Sequence, residues 1–364
     1  MAQDIRQKIT PQMREYTRIA KRQLWLPYLM YFQQPNFVSE VVNTDSRGFR
    51  VVYKNSNKIS DFKHDRDKPT SIFVGNSAAF GVGASSDEHT IPSLLNSKDD
   101  SVWLNFGGRA FSSTQEFLLF LFYHRHFSNI DKVIVFSGVN NLILYYLSQE
   151  YSKDLGSFFF FSSFRQALKE TPPLKRRIAQ KILNPFYGDQ IDWDNFSKKD
   201  LIKLLTERGR KSTQIKKAPS DFYSIINNHD EEKMDLLYAL ETDIYNWKLL
   251  SQSLNFDLYY ILQPIATWTR KKLSSEEHDL FAVLDGKQQE QFQILKKNFS
   301  QDQYLWFSNQ LQTICETYDV SFMDMNEKMR EKPIDDEWLF VDRIHLTDSG
   351  HQLVSEIIYE EVLK

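Results

Sequence analysis

The chain has 364 residues and a formal net charge of −3, and its 41% hydrophobic and 26% charged residues are ordinary for a folded globular protein. The charge excludes the basic signature of a nucleic-acid-binding protein, and no apolar run reaches the roughly 18–20 residues of a membrane span. A single cysteine, Cys315, excludes an internal disulfide, and the charged first residues lack a signal-peptide core, so we expect a cytoplasmic protein.

The first 65 residues predict an N-terminal extension that precedes the main domain. Residues 1–45 are typical of a helical lead-in followed by irregular chain. The segment VVNTDSRGFRVVYK, residues 41–54, predicts a strand, a turn at residues 46–48 and a second strand.

Short apolar runs alternate with helical segments through the rest of the chain. Strands are predicted at residues 71–74, 102–105, 132–138, 257–264 and 320–325, and helices at 91–97, 113–126 and 349–363. Such alternation indicates a parallel sheet covered by helices on both faces. The predicted fold class is therefore a three-layer α/β/α domain with a central parallel sheet, formed by residues 66–145 and 251–364. Sites in such sheets lie beyond the carboxyl ends of the strands.

About 118 residues separate the third and fourth predicted strands, whereas a crossover needs only a dozen or more. Residues 146–250 therefore predict a mostly helical insertion, which ends in a long amphipathic helix over residues 230–254. Between residues 165 and 217 it carries 14 Lys/Arg against 6 Asp/Glu, an excess of +8. This basic character fits a solvated face, a lid that attracts an anionic substrate, or a surface for anionic lipid or a partner protein.

Two distant segments carry residues suited to nucleophilic catalysis. The first predicted strand ends at Ser77, among small residues in IFVGNSAAFGVGASS. Asp342 and His345 are three residues apart, just before the last helix. On a tight turn the carboxylate can orient one side of the imidazole, and the other ring nitrogen can then take the proton of Ser77. A serine hydroxyl is a poor nucleophile without such a base.

A serine nucleophile also needs donors that stabilise the developing oxyanion. The loop after the third strand offers the side-chain amide of Asn140. The loop NFGGRAF after the second strand offers backbone N–H groups, and the Ser77 N–H is a further candidate. The candidate backbone donors in NFGGRAF are those of Gly107, Gly108 and Ala110.

Four segments, in this order, resemble the sequence blocks of the SGNH (GDSL-type) hydrolase superfamily. They are VGNSAAFGVGAS, LNFGGRAFSSTQ, FSGVNNL and DRIHLTDSGH. The resemblance covers roughly residues 70–145 and 255–364. More weakly, NTDSRGFR is similar to a segment that precedes the catalytic domain in bacterial members linked to surface-polysaccharide modification.

The resemblance implies a flavodoxin-like fold and a Ser77–His345–Asp342 catalytic triad. It also implies an oxyanion hole formed by Ser77, Asn140 and either Gly108 or Ala110. Three positions depart from the family pattern: Asn76 and Asn141 stand where aspartate is usual, and Ala110 stands where glycine is usual. Further candidates for substrate binding are Asn76, Gly107, Arg109 and Asn141.

The resemblance implies a serine esterase that removes an acyl group from a carbohydrate or another small ester, including an anionic one. Among acyl groups it favours O-acetyl. One alternative is an acyltransferase that uses the same three residues to move the acyl group to a sugar, and another is a non-catalytic binding or scaffold protein. The chemistry requires no cofactor, and no histidine or acidic cluster has metal-ligand spacing. His89 and His351 are expected to cap or pack near the site. The sequence does not specify an oligomeric state.

Overall fold

The structure, a computed structural model, describes residues 8–22, 24–26, 28–60, 68–147, 233–269, 272–285 and 296–364. The chain divides into two compact units, Met1–Phe159 with Asp235–Lys364, and Phe160–Met234. The described residues belong almost entirely to the first unit. Most of the predicted insertion, 146–250, lies outside the described residues, so its boundaries and its basic lid stay predictions.

Short elements of the N-terminal segment precede the main sheet. They are α1 (Met13–Ala20), β1 (Leu24–Leu26), β2 (Met30–Phe32), β3 (Val52–Lys54) and β4 (Asn57–Ile59). β1 pairs with β2 and β3 pairs with β4, both antiparallel. The prediction of irregular chain is therefore wrong at β1 and β2. The strand predicted before residue 46 is also wrong, since only a single bridge joins Thr44 and Arg50 there. The side chain of Asp45 accepts from the Arg47 and Phe49 N–H groups and so closes the turn.

The main sheet has five strands: β5 (Thr70–Gly75), β6 (Val102–Gly107), β7 (Ile130–Ser137), β8 (Asp257–Leu262) and β9 (Ser321–Asp324). All five lie within two residues of their predicted bounds. Their order is β6-β5-β7-β8-β9, and every neighbouring pair is parallel. Counted along the chain, the order 2-1-3-4-5 is that of the flavodoxin-like doubly wound fold, and it confirms the predicted fold class.

Ten helices connect or flank these strands within the described residues. They are α2 (Ser77–Phe80), α3 (Ile91–Leu95), α4 (Ser113–Tyr123), α5 (Val139–Leu147), α6 (Met234–Leu254), α7 (Ala266–Thr269), α8 (Ser275–Asp285), α9 (Gln301–Thr317), α10 (Met325–Arg330) and α11 (Asp348–Ile358). Six of them are absent from the predicted elements: α2, α5, α7, α8, α9 and α10. Among the helices that the structure describes, none is both long enough and apolar enough to cross a bilayer.

Side chains from alternate strand positions point to opposite faces of the sheet, and each face is covered. On one face, α3, α8, α10 and α11 pack around Phe73, Trp103, Phe136 and Ile261. On the other, Phe120 of α4 contacts Trp247 of α6, while Leu311 of α9 lies close to Gly138. The result is the three-layer arrangement. The loops at the carboxyl ends of the strands stay free to hold a site.

One buried carboxylate on α4 destabilises the fold at neutral pH. Glu116 has 0% exposure, and neither of its carboxylate oxygens has a partner at hydrogen-bond distance within the described part of the chain. Burial raises its pKa to about 8, and the nearby Ser137 hydroxyl lowers it only in part. An acid whose pKa is higher in the folded than in the unfolded chain stabilises the folded state at pH values below its unfolded pKa. This stabilisation is lost as the pH rises through the folded pKa.

We expect Glu116→Gln to unfold at higher denaturant concentration than the wild type at pH 8, with a gain of roughly 2 kcal/mol after the cost of the buried amide. The gain should shrink towards pH 5, because this pH is close to the ordinary pKa of 4.5, where the unfolded wild-type chain also takes up the proton. Urea unfolding at both pH values measures it, with the exposed Glu88→Gln as the control. A loss of stability at pH 8 would contradict the prediction.

Candidate active site

Ser77, His345 and Asp342 form a continuous chain of hydrogen bonds at the carboxyl edge of the sheet. The Ser77 Oγ lies 2.8 Å from His345 Nε2, and His345 Nδ1 lies 2.8 Å from Asp342 Oδ2. An ionised carboxylate can only accept, so Nδ1 carries the proton of the neutral imidazole and Nε2 accepts from Ser77. The side chain of His345 is 18% exposed and that of Asp342 is 5% exposed. The serine hydroxyl therefore already donates to a base whose tautomer is fixed.

The loop before α11 folds around the Asp342 carboxylate. Asp342 Oδ1 accepts from the N–H groups of Ile344 and His345 at 2.9 and 2.8 Å, which closes a tight turn between the two catalytic candidates. Glu277 of α8 accepts from the N–H groups of Leu339 and Phe340, both at 3.0 Å, and so fixes the chain that leads into this turn. The three-residue spacing noted in the sequence is thus the spacing of a turn.

The same contacts keep Asp342 ionised. Burial raises the pKa of this carboxyl. The His345 imidazole and three hydrogen bonds, including those from the Ile344 and His345 N–H groups, lower it by more. The pKa of Asp342 therefore lies below its ordinary value of 3.8. An acid with a depressed pKa stabilises the folded state above its unfolded pKa and loses that stabilisation as the pH falls through the folded pKa. Asp342 therefore carries its charge at neutral pH.

Ser77 is the first residue of α2, and the preceding Asn76 caps this helix. Asn76 Oδ1 accepts from the Ala78 N–H at 2.9 Å, and Asn76 Nδ2 donates to Gln263 Oε1 at the end of β8. Asn76 has 0% exposure. An aspartate here would bury a charge and could not donate to Gln263, so the neutral amide suits this environment. Asn76, predicted as a substrate-binding residue, lies beneath the nucleophile.

Three side chains from outside α2 satisfy the carbonyl groups at its other end. Asn105 Nδ2 donates to Ala79 O at 3.1 Å. Arg50 Nη1 donates to the carbonyl groups of Phe80 and Gly81, at 3.1 and 2.8 Å. The Tyr16 hydroxyl also lies 2.8 Å from the Gly81 carbonyl oxygen. The last carbonyls of a helix need such donors, so the N-terminal segment takes part in the site.

Neither Tyr16 nor Arg50 is among the site residues predicted from the sequence. The only sequence signal for Arg50 is its place at the end of NTDSRGFR. No sequence signal marks Tyr16, because the carbonyl groups that its hydroxyl binds, those of Gly81 and Ala84, lie at least 65 residues further along the chain.

Of the three candidate backbone donors in the loop after β6, two are engaged within the protein and one is left. The Gly108 N–H donates to Gly75 O at 2.8 Å, and the Gly107 N–H donates to Asn105 Oδ1 at 2.9 Å. Both groups are therefore engaged within the protein, and Gly108 is a poor choice for the oxyanion. The Ala110 N–H makes no hydrogen bond within the described residues, and Ala110 has φ +56°. This left-handed conformation favours glycine, which alanine replaces here.

Gly107 has a packing role that explains its residue type. A Cβ at this position would lie 2.1 Å from the Phe80 nitrogen, so only glycine lets β6 approach α2 this closely. Gly107 was predicted as a substrate-binding residue, but its N–H and its α-carbon both face protein. Arg109 of the same loop is partly exposed.

The two asparagines at the start of α5 hold the loop that follows Ala110. Asn140 Nδ2 donates to Phe111 O at 2.8 Å, which leaves the second N–H of this amide. Asn141 Oδ1 accepts from the Ser113 N–H at 2.9 Å, and its Nδ2 donates to Ser113 Oγ at 2.8 Å. Asn141 is 6% exposed and both the oxygen and the nitrogen of its amide bind Ser113, so it supports the loop.

A second cluster of serine, histidine and aspartate lies nearby and has the wrong geometry for a relay. Ser85 Oγ lies 3.0 Å from His89 Nδ1, and Asp348 Oδ2 lies 3.4 Å from the same nitrogen. In a relay, the serine hydroxyl and the carboxylate contact opposite ring nitrogens of the histidine. His351 is buried, and its burial, together with the smaller effect of the Arg50 charge, lowers its pKa to about 3, so it stays neutral.

The described residues contain no group of three or more metal-ligating side chains.

No protein-family model matches the sequence, and no curated protein matches it. Among solved structures the chain is similar to an acetyl xylan esterase, at 12% identity and a TM-score of 0.38, over 80% of this chain and 99% of that one. It is also similar to the lipase/acylhydrolase from Enterococcus faecalis, at 9% identity and a TM-score of 0.40, over 81% of this chain and 95% of that one.

A third similar structure is a catalytic mutant of an acetylxylan esterase from Geobacillus stearothermophilus, at 11% identity and a TM-score of 0.38, over 80% of this chain and 93% of that one. From its own topology and contacts, this chain is a flavodoxin-like α/β/α protein in which Ser77, His345 and Asp342 meet in one chain of hydrogen bonds at the carboxyl edge of the sheet.

Proposed function

We propose that the chain is a serine ester hydrolase of the SGNH type, which removes a small acyl group through an acyl-enzyme. The observation that carries this proposal is the chain from Ser77 Oγ through the His345 imidazole to the Asp342 carboxylate, with both contacts at 2.8 Å. A serine hydroxyl becomes a useful nucleophile when a base accepts its proton and a third group orients that base. The same contact argues against a purely non-catalytic scaffold.

Acylation begins when Ser77 Oγ attacks the ester carbonyl carbon and its proton passes to His345 Nε2. The carbonyl oxygen becomes an oxyanion, which accepts from the Ser77 N–H, the Ala110 N–H and the remaining amide N–H of Asn140. The intermediate then collapses, the bond to the leaving oxygen breaks, and His345 Nε2 gives its proton to the leaving alcohol. Asp342 stabilises the imidazolium between these two transfers.

Deacylation repeats the sequence with water. His345 Nε2 takes a proton from the water as its oxygen attacks the acyl carbon, and the same donors hold the second oxyanion. The bond to Ser77 Oγ then breaks, and His345 returns the proton to the serine, so that a carboxylic acid leaves and the enzyme is restored. Apart from the ester and the water, each step uses side chains and backbone groups of this chain.

For the substrate, we propose an O-acetyl sugar. This choice rests on the resemblance of NTDSRGFR to the segment found in members linked to surface-polysaccharide modification. The partly exposed Arg109, next to Ala110, forms no ion pair within the described residues, which is compatible with an acidic sugar.

Hydrolysis of p-nitrophenyl acetate and of a peracetylated sugar, together with serine labelling by a fluorophosphonate, tests the proposal. We expect acetate release from both esters and stoichiometric labelling of Ser77. Labelling with slow turnover that a free sugar accelerates would instead indicate acyl transfer to that sugar. If neither ester is cleaved and no serine is labelled, the chain is not a serine esterase.

Removal of the Asn140 amide should slow the reaction without weakening substrate binding. We expect Asn140→Ala to lower kcat by about 10²-fold, the usual effect of one oxyanion donor, with KM nearly unchanged. Steady-state kinetics on p-nitrophenyl acetate measure the split, and thermal unfolding checks the loss of the bond to Phe111. The exposed Asn57→Ala is the control. A rise in KM at constant kcat would show that Asn140 binds the substrate instead.

A further inference from the structure

A buried chain of hydrogen bonds joins α6 to the loop that carries the backbone oxyanion donor. Asn141 Nδ2 donates to Ser113 Oγ at 2.8 Å, and Ser113 Oγ donates to Asp243 Oδ2 at 2.5 Å. The Thr114 hydroxyl donates to the same carboxylate oxygen at 2.9 Å. Asp243, Ser113 and Asn141 are each less than 7% exposed. The Asp243 carboxylate is therefore held by two hydroxyl groups, with little contact with water.

The carboxylate fixes the direction of every bond in this chain. Asp243 can only accept when ionised, so the Ser113 hydroxyl must donate to it. Ser113 Oγ is then left as an acceptor, and residue 141 has to supply a donor. Asparagine supplies one through Nδ2 and still accepts from the Ser113 N–H through Oδ1, at 2.9 Å. An aspartate at position 141 would place two carboxylates on one hydroxyl proton.

Two of the three proposed oxyanion donors, the Ala110 N–H and the Asn140 amide, depend on the loop that this chain of hydrogen bonds holds. Asn140 is the neighbour of Asn141 and binds Phe111 O at 2.8 Å. Phe111 follows Ala110 directly, and Ser113 begins α4 two residues later. The segment from Ala110 to Ser113 is thus tied to the start of α5 at two points. A shift of Ser113 would change the distance between the Ala110 N–H and the Asn140 amide.

We propose that Asp243 is a positioning residue for the reaction: through Ser113 and Asn141 it holds the Ala110 N–H and the Asn140 amide at the separation that one oxyanion requires. The inference rests on the proposed esterase function. Asp243 touches no reacting atom, and it belongs to α6, which no motif of the sequence connects with the site. Misplacement of a donor by a fraction of an ångström weakens the transition-state interaction far more than the binding of a neutral ester.

Exchange of the two side chains tests the inference, because Asn141→Asp combined with Asp243→Asn rebuilds the same chain with its polarity reversed. Asn141→Asp alone should lower kcat on p-nitrophenyl acetate by roughly tenfold with little change in KM, since the two carboxylates repel each other across Ser113. Asp243→Asn alone should have a smaller effect of the same kind. The double variant should recover kcat to within about threefold of the wild type.

Glu241→Gln is the matched control. Glu241 is a buried carboxylate of the same helix that accepts from the Tyr318 hydroxyl at 2.7 Å and has no contact with Ser113 or Asn141. It should leave kcat unchanged. The rate of serine labelling by a fluorophosphonate should follow kcat across all the variants, because phosphonylation uses the same donors.

Two results would overturn the inference while the esterase proposal stands. One is an unchanged kcat in Asn141→Asp and in Asp243→Asn, whatever their melting temperatures. The other is a double variant that is no faster than Asn141→Asp. If Asn141→Asp does not fold, Asp243→Asn and the double variant still give the comparison. A wild-type protein that neither cleaves the ester nor reacts with the fluorophosphonate would overturn both proposals.

Discussion

Ser77→Ala is expected to lower kcat/KM on p-nitrophenyl acetate by about 10⁴-fold or more and to abolish labelling by a fluorophosphonate. The variant keeps the oxyanion donors, so a small residual rate above the uncatalysed reaction should remain. Alanine suits the first position of α2, and only one hydrogen bond, that to His345 Nε2, is lost. The melting temperature should therefore stay close to that of the wild type. Initial rates of p-nitrophenol release measure the effect.

Ser85→Ala is the matched control for this prediction. Ser85 lies on the surface beside His89 and Asp348, so it has the same neighbours by residue type. Both partners meet His89 at Nδ1, so no relay forms, and the variant should keep the wild-type rate. If Ser77→Ala keeps its activity and Ser85→Ala loses it, the active site is the second cluster and not the one at Ser77.

His345→Ala should lower kcat/KM on p-nitrophenyl acetate about as much as Ser77→Ala does. The double variant should be no slower than either single variant. Residues that act as one unit show this lack of additivity, because removing one member already removes the function of the others. If the fold-losses in kcat/KM of the two single variants multiply in the double variant, Ser77 and His345 do not act together.

The sheet could be predicted from the sequence because each strand is a short apolar run bounded by turn residues. β5 is buried along its whole length, as are the last five residues of β7 and the last three of β8, and strands buried on both faces have near-continuous apolar sequences. Once the strands are parallel, their carboxyl ends share one edge. That rule alone places the residues after β5 and β7, Ser77 and Asn140 among them, in the same crevice.

The residues that support the site could not be predicted, because their partners lie far away in sequence. Asn76 and Gln263 are 187 residues apart, and the exchange of the usual aspartate for Asn76 has a physical reason only once this contact is known. Arg50 is similar: five hydrogen bonds from its side chain end on α1, α2 and the loops around them. Periodicity predicts elements, whereas such contacts depend on tertiary packing.

Arg50→Met is expected to lower the free energy of unfolding by about 3–5 kcal/mol, the usual cost of breaking a buried ion pair on one side. Arg50 Nε lies 2.8 Å from Asp87 Oδ1, and the two side chains are 0% and 2% exposed. Methionine fills the volume but leaves the Asp87 charge and the carbonyl groups of Phe80 and Gly81 without this donor. Urea unfolding at pH 7 measures the loss, and Arg50→Lys, which keeps the charge without the planar fork, should recover only part of it.

Because the same guanidinium holds the end of α2, we also expect kcat of folded Arg50→Met to fall by roughly tenfold with KM little changed. The control is Arg18→Met in α1, whose ion pair with Glu15 is 44% exposed on the arginine side and should contribute at most about 1 kcal/mol. Addition of Asp87→Asn to Arg50→Met should return part of the stability, since it removes the unpaired charge, but not kcat, since the carbonyl groups of α2 still lack their donor. Equal stability losses at Arg50 and Arg18 would contradict the stability prediction. Recovery of kcat in the double variant would show that Arg50 acts through Asp87 alone and not on the helix of the nucleophile.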